Sequence, residues 1–158
     1  MVAGTPPAET TATLAVACQN ISTDPGGRLT LHELTDNLAA LQFPVQTARL
    51  YAAFGFVRSE PGILIANRVE VANDAGHVLG AYDFPDVVFP ADQPFQRVVA
   101  ALTGVIWPAP GTYLIRFSSR GVVPASFPVL ALQVVMPNMP GVAPTAQATT
   151  PQSIPTSG

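Results

Sequence analysis

The chain contains no lysine, and all seven of its basic residues are arginines. Schiff-base chemistry and the phosphate-loop lysine of nucleotide-binding folds both require an ε-amine, so those enzyme classes are excluded. Charge of either sign is scarce, at 11% of residues, against roughly a quarter in an ordinary soluble domain. Much of the exterior must therefore be uncharged. The arginines are scattered and the net charge is -3. Sequence-independent nucleic-acid binding needs clustered positive charge to displace counterions, so no nucleic-acid partner is expected.

Thiols and imidazoles are equally sparse. Cys18 stands alone, which rules out an internal disulfide, and with His32 and His77 it makes three soft ligands widely spaced along the chain. A structural zinc site needs more of them, and closer together. No metal and no cofactor are expected. The first twenty residues, "MVAGTPPAETTATLAVACQN", hold no basic segment followed by an apolar run of signal-peptide length. No stretch approaches the ~18 apolar residues of a spanning helix. These features predict an unexported, cytoplasmic protein with no membrane partner. Nucleophile elbows, dinucleotide loops and phosphate loops are also missing, so no catalytic residue is assigned and the reading is not that of an enzyme.

Two-residue periodicity is what the sequence has in abundance. "TLAVACQN" places Leu14, Val16 and Cys18 on one face, and "RLTLHEL" turns Leu29 and Leu31 inward against Arg28, Thr30 and His32. "ARLYAAFGFV" aligns Leu50, Ala52, Phe54 and Phe56, while "ILIANRVEV" sends Ile63, Ile65, Val69 and Val71 inward and leaves Arg68 and Glu70 in water. "FQRVVAALTGVIW", "GTYLIRFSS" and "FPVLALQVV" continue the pattern. Turn chemistry falls between these runs, in "TDPGGR", "SEPG", "NDAGH", "PAPG" and "SSRG". A helix over "TDNLAALQ" is disfavoured by its shortness and by Pro44, and a strand or single helical turn is expected instead. The prediction is an all-β chain, an antiparallel β-sandwich of Greek-key or jelly-roll type with about 7–9 strands. It occupies residues 13–135, between an extended arm at 1–12 and a proline-rich, uncharged tail at 136–158.

The most patterned stretch is "WPAPGTYLIRF", Trp107 to Phe117. Pro108 and Pro110 fix the loop, and Tyr113 stands where its ring is buried and its hydroxyl can bond backbone, as in the tyrosine corner of Greek-key sandwiches. The same stretch supplies an alternative use. Trp107, with Tyr51 and Tyr82, forms the candidate set for a small-ligand or carbohydrate site at one end of the sandwich. Asp83, Asp86 and Asp92 in "YDFPDVVFPADQP" are candidate cation ligands, but their spacing fits no calcium loop, and Pro85, Pro90 and Pro94 mark a long connection between sheets. Cys18 reads as a small buried hydrophobe, Glu70 as a solvated strand residue and Glu33 as a strand end.

The order "LAVACQNIS", "GGRLTLHELTDNL", "FPVQTARLYAAFGF", "VEVANDAGHVLG" and "PAPGTYLIRF", closed by an apolar strand, resembles a bacterial domain family of unknown function. That family consists of small unexported β-sandwiches with a Gly-Lys/Arg-Leu turn early and a Pro-Gly-x-Tyr strand late. The resemblance covers residues 13–135 and implies a fold without implying any catalytic residue. With two uncharged arms and little surface charge, the expected function is a non-catalytic structural or interaction module. Its expected partners are proteins, in a homo- or hetero-oligomeric assembly such as a shell, virion or filament.

Overall fold

Alternating apolar side chains become strands only where two sheets can share them, and here they do. The computed structural model describes residues 9–136, which contain strands and turns and no helix. Numbered in chain order, four strands form one sheet in the order β10 (Phe95–Ala101), β5 (Tyr51–Arg58), β1 (Thr10–Thr23), β2 (Leu29–Thr35). Five form a second, in the order β3 (Asn37–Ala40), β13 (Val122–Gln133), β12 (Gly111–Ser119), β7 (Asn67–Asn73), β8 (Val78–Phe84). Two short ribbons complete the set: β4 (Val45–Gln46) with β11 (Ile106–Trp107), and β6 (Gly62–Leu64) with β9 (Val87–Phe89). Pairing is antiparallel throughout except between β13 and β3, which run parallel.

The inner faces meet through aromatic rings. Phe54 and Phe56 of β5 pack against Phe117 of β12 at centroid distances of 5.7 and 4.8 Å, and Phe54 reaches Phe127 of β13 at 5.7 Å. All three contacts are tilted, which suits the ring quadrupoles better than a face-to-face sandwich of rings. Val69, Val71, Ile115, Val98, Ala100 and Val129 fill the space around them. One end of this core is closed by the β4–β11 ribbon. There Trp107 is fully buried, edge-on to Tyr113 at 4.9 Å, and its indole N–H donates to Thr47 Oγ1 at 3.3 Å. The Tyr113 hydroxyl donates to the Ala109 carbonyl at 2.6 Å, so the corner read from "WPAPGTY" is built by that bond.

Several sequence expectations are corrected. Leu14, Val16 and Cys18 do not face the core; Ala12, Ala15 and Ala17 do. A bulge between Ala12 and Leu14 shifts the register of β1 and resets its phase. "ILIANRVEV" is not one strand. Ala66, at φ 50°, breaks it into β6 and β7, so that Leu64 is buried, Ile63 is exposed and only Val69 and Val71 keep their inward places. "TDNLAALQ" forms β3, which continues from β2 and carries the chain from one sheet to the other. The proline-marked connection after β8 crosses between sheets as expected, with β9 formed on the way. β1 begins at Thr10, inside the span assigned to the first arm; residues 1–8 of that arm and residues 137–158 of the tail lie outside the described residues.

Candidate functional site

The outer face of the four-stranded sheet carries an apolar patch beside polar residues such as Asn20, His32 and Arg97. Register sets Tyr51 between Cys18 and Ala101, Ala53 between Val16 and Val99, and Gly55 between Leu14 and Arg97. Leu34 of β2 lies opposite Cys18. Cys18 and Ala53 are 0% and 1% exposed although neither belongs to the core between the sheets. Around these small buried residues stand the larger, accessible Phe95 and Leu34. Phe95 leans over the strand, since a Cβ added at Gly55 would lie 3.3 Å from its ring and 3.1 Å from Leu14 Cβ. Arg97 places its guanidinium 5.1 Å from the Phe95 ring centroid. Burial pushes the Cys18 thiol above its ordinary pKa, against a smaller opposing effect of a backbone hydrogen bond at Asn20.

The outer face of the five-stranded sheet is divided. Arg116 Nε donates to Glu70 Oε2 at 2.8 Å, Arg68 Nε to Asp83 Oδ1 at 2.9 Å, and Arg68 also lies 3.9 Å from Glu70. The Asp83 carboxylate raises the Arg68 pKa further. The neighbouring rows are apolar: Leu114 lies between Ala72 and Pro128, Leu130 lies beside Asn37, and Leu132 beside Ala39. Leu114, Leu130, Leu132 and Val78 are all exposed.

Between the two sheets, on the side where β2 leaves β1 to become β3, lies an open groove of about 440 Å³. Ala15, Val16 and Ala17 form one wall, Phe127 and Pro128 the other, and Leu34 stands at its end. Both walls are strand edges. β1 pairs with β2 only from Ala17 onward, so Thr10–Val16 is hydrogen-bonded to β5 on one side and to no strand on the other, although β13 packs close beside β1. β13 pairs with β3 only from Leu130 onward.

The residues singled out as a ligand site are not brought together. Trp107 offers no face to solvent. Tyr51 stands on the outer face of the four-stranded sheet. Tyr82, on the edge strand β8, packs against the core and donates its hydroxyl to the Thr103 carbonyl at 3.2 Å, burial raising its pKa. Asp83 is engaged by Arg68, Asp86 lies beside Val87 in the crossing connection and Asp92 in the turn before β10. Among the described residues, no three His, Cys, Asp or Glu side chains converge as a metal site would require. His32 sits 2.8 Å from Ser22 Oγ on the surface, and His77 occupies the β7–β8 turn on the other sheet from Cys18. Glu33, at φ 55°, is an irregular residue within β2. No helix among the described residues is long and apolar enough to cross a membrane.

No protein-family model matches the sequence, and no curated protein matches it. Among solved structures the fold is similar to a Pseudomonas fluorescens alkylpurine DNA glycosylase AlkC bound to DNA containing an abasic site analog. The likeness has a TM-score of 0.50 at 11% identity and takes in 78% of this chain but only 30% of the glycosylase chain. It speaks for the arrangement of strands and for nothing chemical.

Proposed function

We propose that this chain is a non-catalytic interaction module: a Greek-key-like sandwich that works as a subunit or accessory protein of a larger protein assembly formed in the cytoplasm. The observation that carries this reading is the outer face of the four-stranded sheet. A monomeric antiparallel sheet ordinarily solvates one face with polar residues, and here that face carries a patch of large apolar side chains. Leu14, Val16, Tyr51, Val99 and Phe95 on that face, and Leu114, Leu130 and Leu132 on the other sheet, are the side chains a neighbouring protein would cover. Low charge supports the same reading, because depletion of charged side chains marks the centre of protein interfaces. The alternative, a carbohydrate or small-ligand site on Trp107, Tyr51 and Tyr82, draws no support from their placement on separate faces. The resemblance to the bacterial domain family, and the strand arrangement held in common with the glycosylase, enter as analogies of fold.

Sedimentation velocity on the purified chain, across a hundredfold concentration range and at two salt strengths, tests the proposal. Concentration-dependent association that strengthens as salt rises is expected, because burial of apolar surface is not screened. A single monomeric species throughout would overturn it.

A further inference from the structure

The two large sheets end in β10, β2, β3 and β8, and three of these edge strands are flanked or blunted. β10 has β9 and the connection before it alongside, with which it walls a second groove. β8 carries a bulge at Leu79, the residue left over where Val71 faces Gly80 and Ala72 faces Val78. β3 is only 4 residues long. Short strands, bulges and covering segments are the usual devices that keep a sheet edge from recruiting another strand. β2, Leu29–Thr35, has none of them. It pairs with β1 on one side, no described strand is hydrogen-bonded to its other side, and it contains no proline and no bulge. Glu33 has a φ of 55°, yet the register is the same before and after it, with Asn20 facing His32 and Cys18 facing Leu34. Half of the backbone N–H and C=O groups of such a strand point away from its neighbour, and an added strand would satisfy them.

Parity and charge favour a second copy of β2 as that strand. In an antiparallel pair made by a two-fold axis perpendicular to the sheet, outer side chains stay on the outer face of both copies. Opposed positions then share parity and the axis passes through a residue. His32 is the midpoint of β2, and an axis there opposes all 7 residues of the strand to counterparts: Leu29 to Thr35, Thr30 to Leu34, Leu31 to Glu33. One step beyond each end of the strand, the same axis sets Arg28 of either copy against Asp36 of the other. Arg28 and Asp36 are exposed, and neither joins an ion pair among the described residues. Neighbouring axes lose this match. An axis at Glu33 puts two carboxylates directly opposite each other, which destabilises a strand pair, and an axis at Leu31 sets Arg28 against Leu34.

We infer that β2 pairs with β2 of a second copy about a two-fold axis at His32, joining the two four-stranded sheets edge to edge, with Arg28 and Asp36 of opposite copies paired at both ends. This rests on the assembly reading proposed above and names its first contact. Because the axis is perpendicular to the sheet, the apolar patches of both copies lie on one side of the joined sheet, and that face stays open to a further neighbour. Leu34, 63% exposed in the single chain, comes to lie beside Thr30 of the second copy.

Two sets of full-chain variants test the contact. In a Cys18→Ala background, His32→Cys places a thiol on the axis, where directly opposed residues stand about 4.5–5.5 Å apart between Cα atoms, within disulfide reach. Thr30→Cys is the control, since its two copies lie roughly 13 Å apart along the strands. Mild oxidation should link the His32→Cys chain into a covalent dimer at least about tenfold faster than the Thr30→Cys chain. Arg28→Asp and Asp36→Arg should each weaken self-association about fivefold in sedimentation velocity, because each disturbs two symmetric pairs, and the double swap should restore it. Asp36→Arg also lowers the net negative charge, so weakening by that variant is not general repulsion. Both sites are exposed and flank β2 without belonging to it, so the swaps leave the strand intact. Association indifferent to either charge reversal, with His32→Cys linking no faster than Thr30→Cys, would overturn the inference and leave the assembly reading standing. A chain that stays monomeric at every concentration and forms no linked dimer would defeat both.

Discussion

Trp107 and Tyr113 close the same end of the core by different means, and substitution separates the two. The indole is fully buried and fixed by one weak hydrogen bond to Thr47, so its contribution is mainly packing. Trp107→Ala should cost about 3–5 kcal/mol in equilibrium urea unfolding, most of it from the cavity left behind. Tyr113→Phe removes only the bond to Ala109 and should cost about 1 kcal/mol. Cys18 gives a pH-dependent counterpart. Its thiol pKa is raised by burial in the folded chain, so below the unfolded value of about 8.5 both states hold the proton and stability is unaffected. Above that pH the unfolded chain ionises first, so the stability is lost as pH rises through the native value. Tyr82, also raised by burial, adds a second loss beginning near its unfolded value of about 10. Urea midpoints measured from pH 7 to 11 should fall in two stages, and Cys18→Ala should abolish the first stage and keep the second. A disulfide-exchange reagent at pH 8 should label native Cys18 no faster than the chain opens.

At the level of strands and turns, the β12–β13 hairpin is a case where backbone conformation alone sets the cost. Arg120 and Gly121 have φ of 50° and 76°, the left-handed pair that a two-residue hairpin loop requires. Nothing lies within 4 Å of a Cβ built on Gly121, so Gly121→Ala should lose about 1 kcal/mol through conformation and not through collision. Arg120→Asn should raise the unfolding midpoint, because asparagine tolerates this conformation better. That turn was legible as "SSRG", and so were β5 and β12, where large apolar residues alternate with small or polar ones and the phase is unambiguous. The phase of β1 was not legible. "TATLAVA" is apolar at every position from Leu14 to Ala17, and the alternation rule picks the larger residues as inward when both faces are greasy. The bulge that reverses the choice depends on pairing with β5, which no local pattern encodes. Ala66 hides the same way: alanine announces nothing, yet its positive φ splits "ILIANRVEV" and exchanges Ile63 for Leu64 in the core. The groove escaped notice because its walls are brought together by the β2-to-β3 crossing between sheets, a relation between residues some ninety positions apart in sequence, such as Leu34 and Phe127.

For the molecule as a whole, the question is which face is covered when it meets a neighbour, and the two sheets make different predictions. On the four-stranded sheet apolar residues run across several strands with Arg97 among them, whereas on the five-stranded sheet the exposed leucines border the ion ladder of Arg116, Glu70, Arg68 and Asp83. A face that already carries a solvated ion ladder is the poorer candidate for an interface centre, since burying those charges costs more than their mutual attraction returns. Aspartate at Phe95 should therefore weaken association by tenfold or more, about 1.4 kcal/mol, while aspartate at Leu130 should change it by much less. Because the chain is already at net charge -3, an added carboxylate also increases self-repulsion everywhere on the surface. Phe95→Arg removes that ambiguity: it lowers the net negative charge and still places a hydrated group on the apolar face. If burial of the face drives assembly, Phe95→Arg and Phe95→Asp should weaken sedimentation-measured association alike. If the effect were general repulsion, the arginine variant would associate more tightly than the parent chain. Phe95 is partly exposed on an edge strand, so near-ultraviolet circular dichroism should show both variants folded, and the comparison then reports on assembly and not on stability.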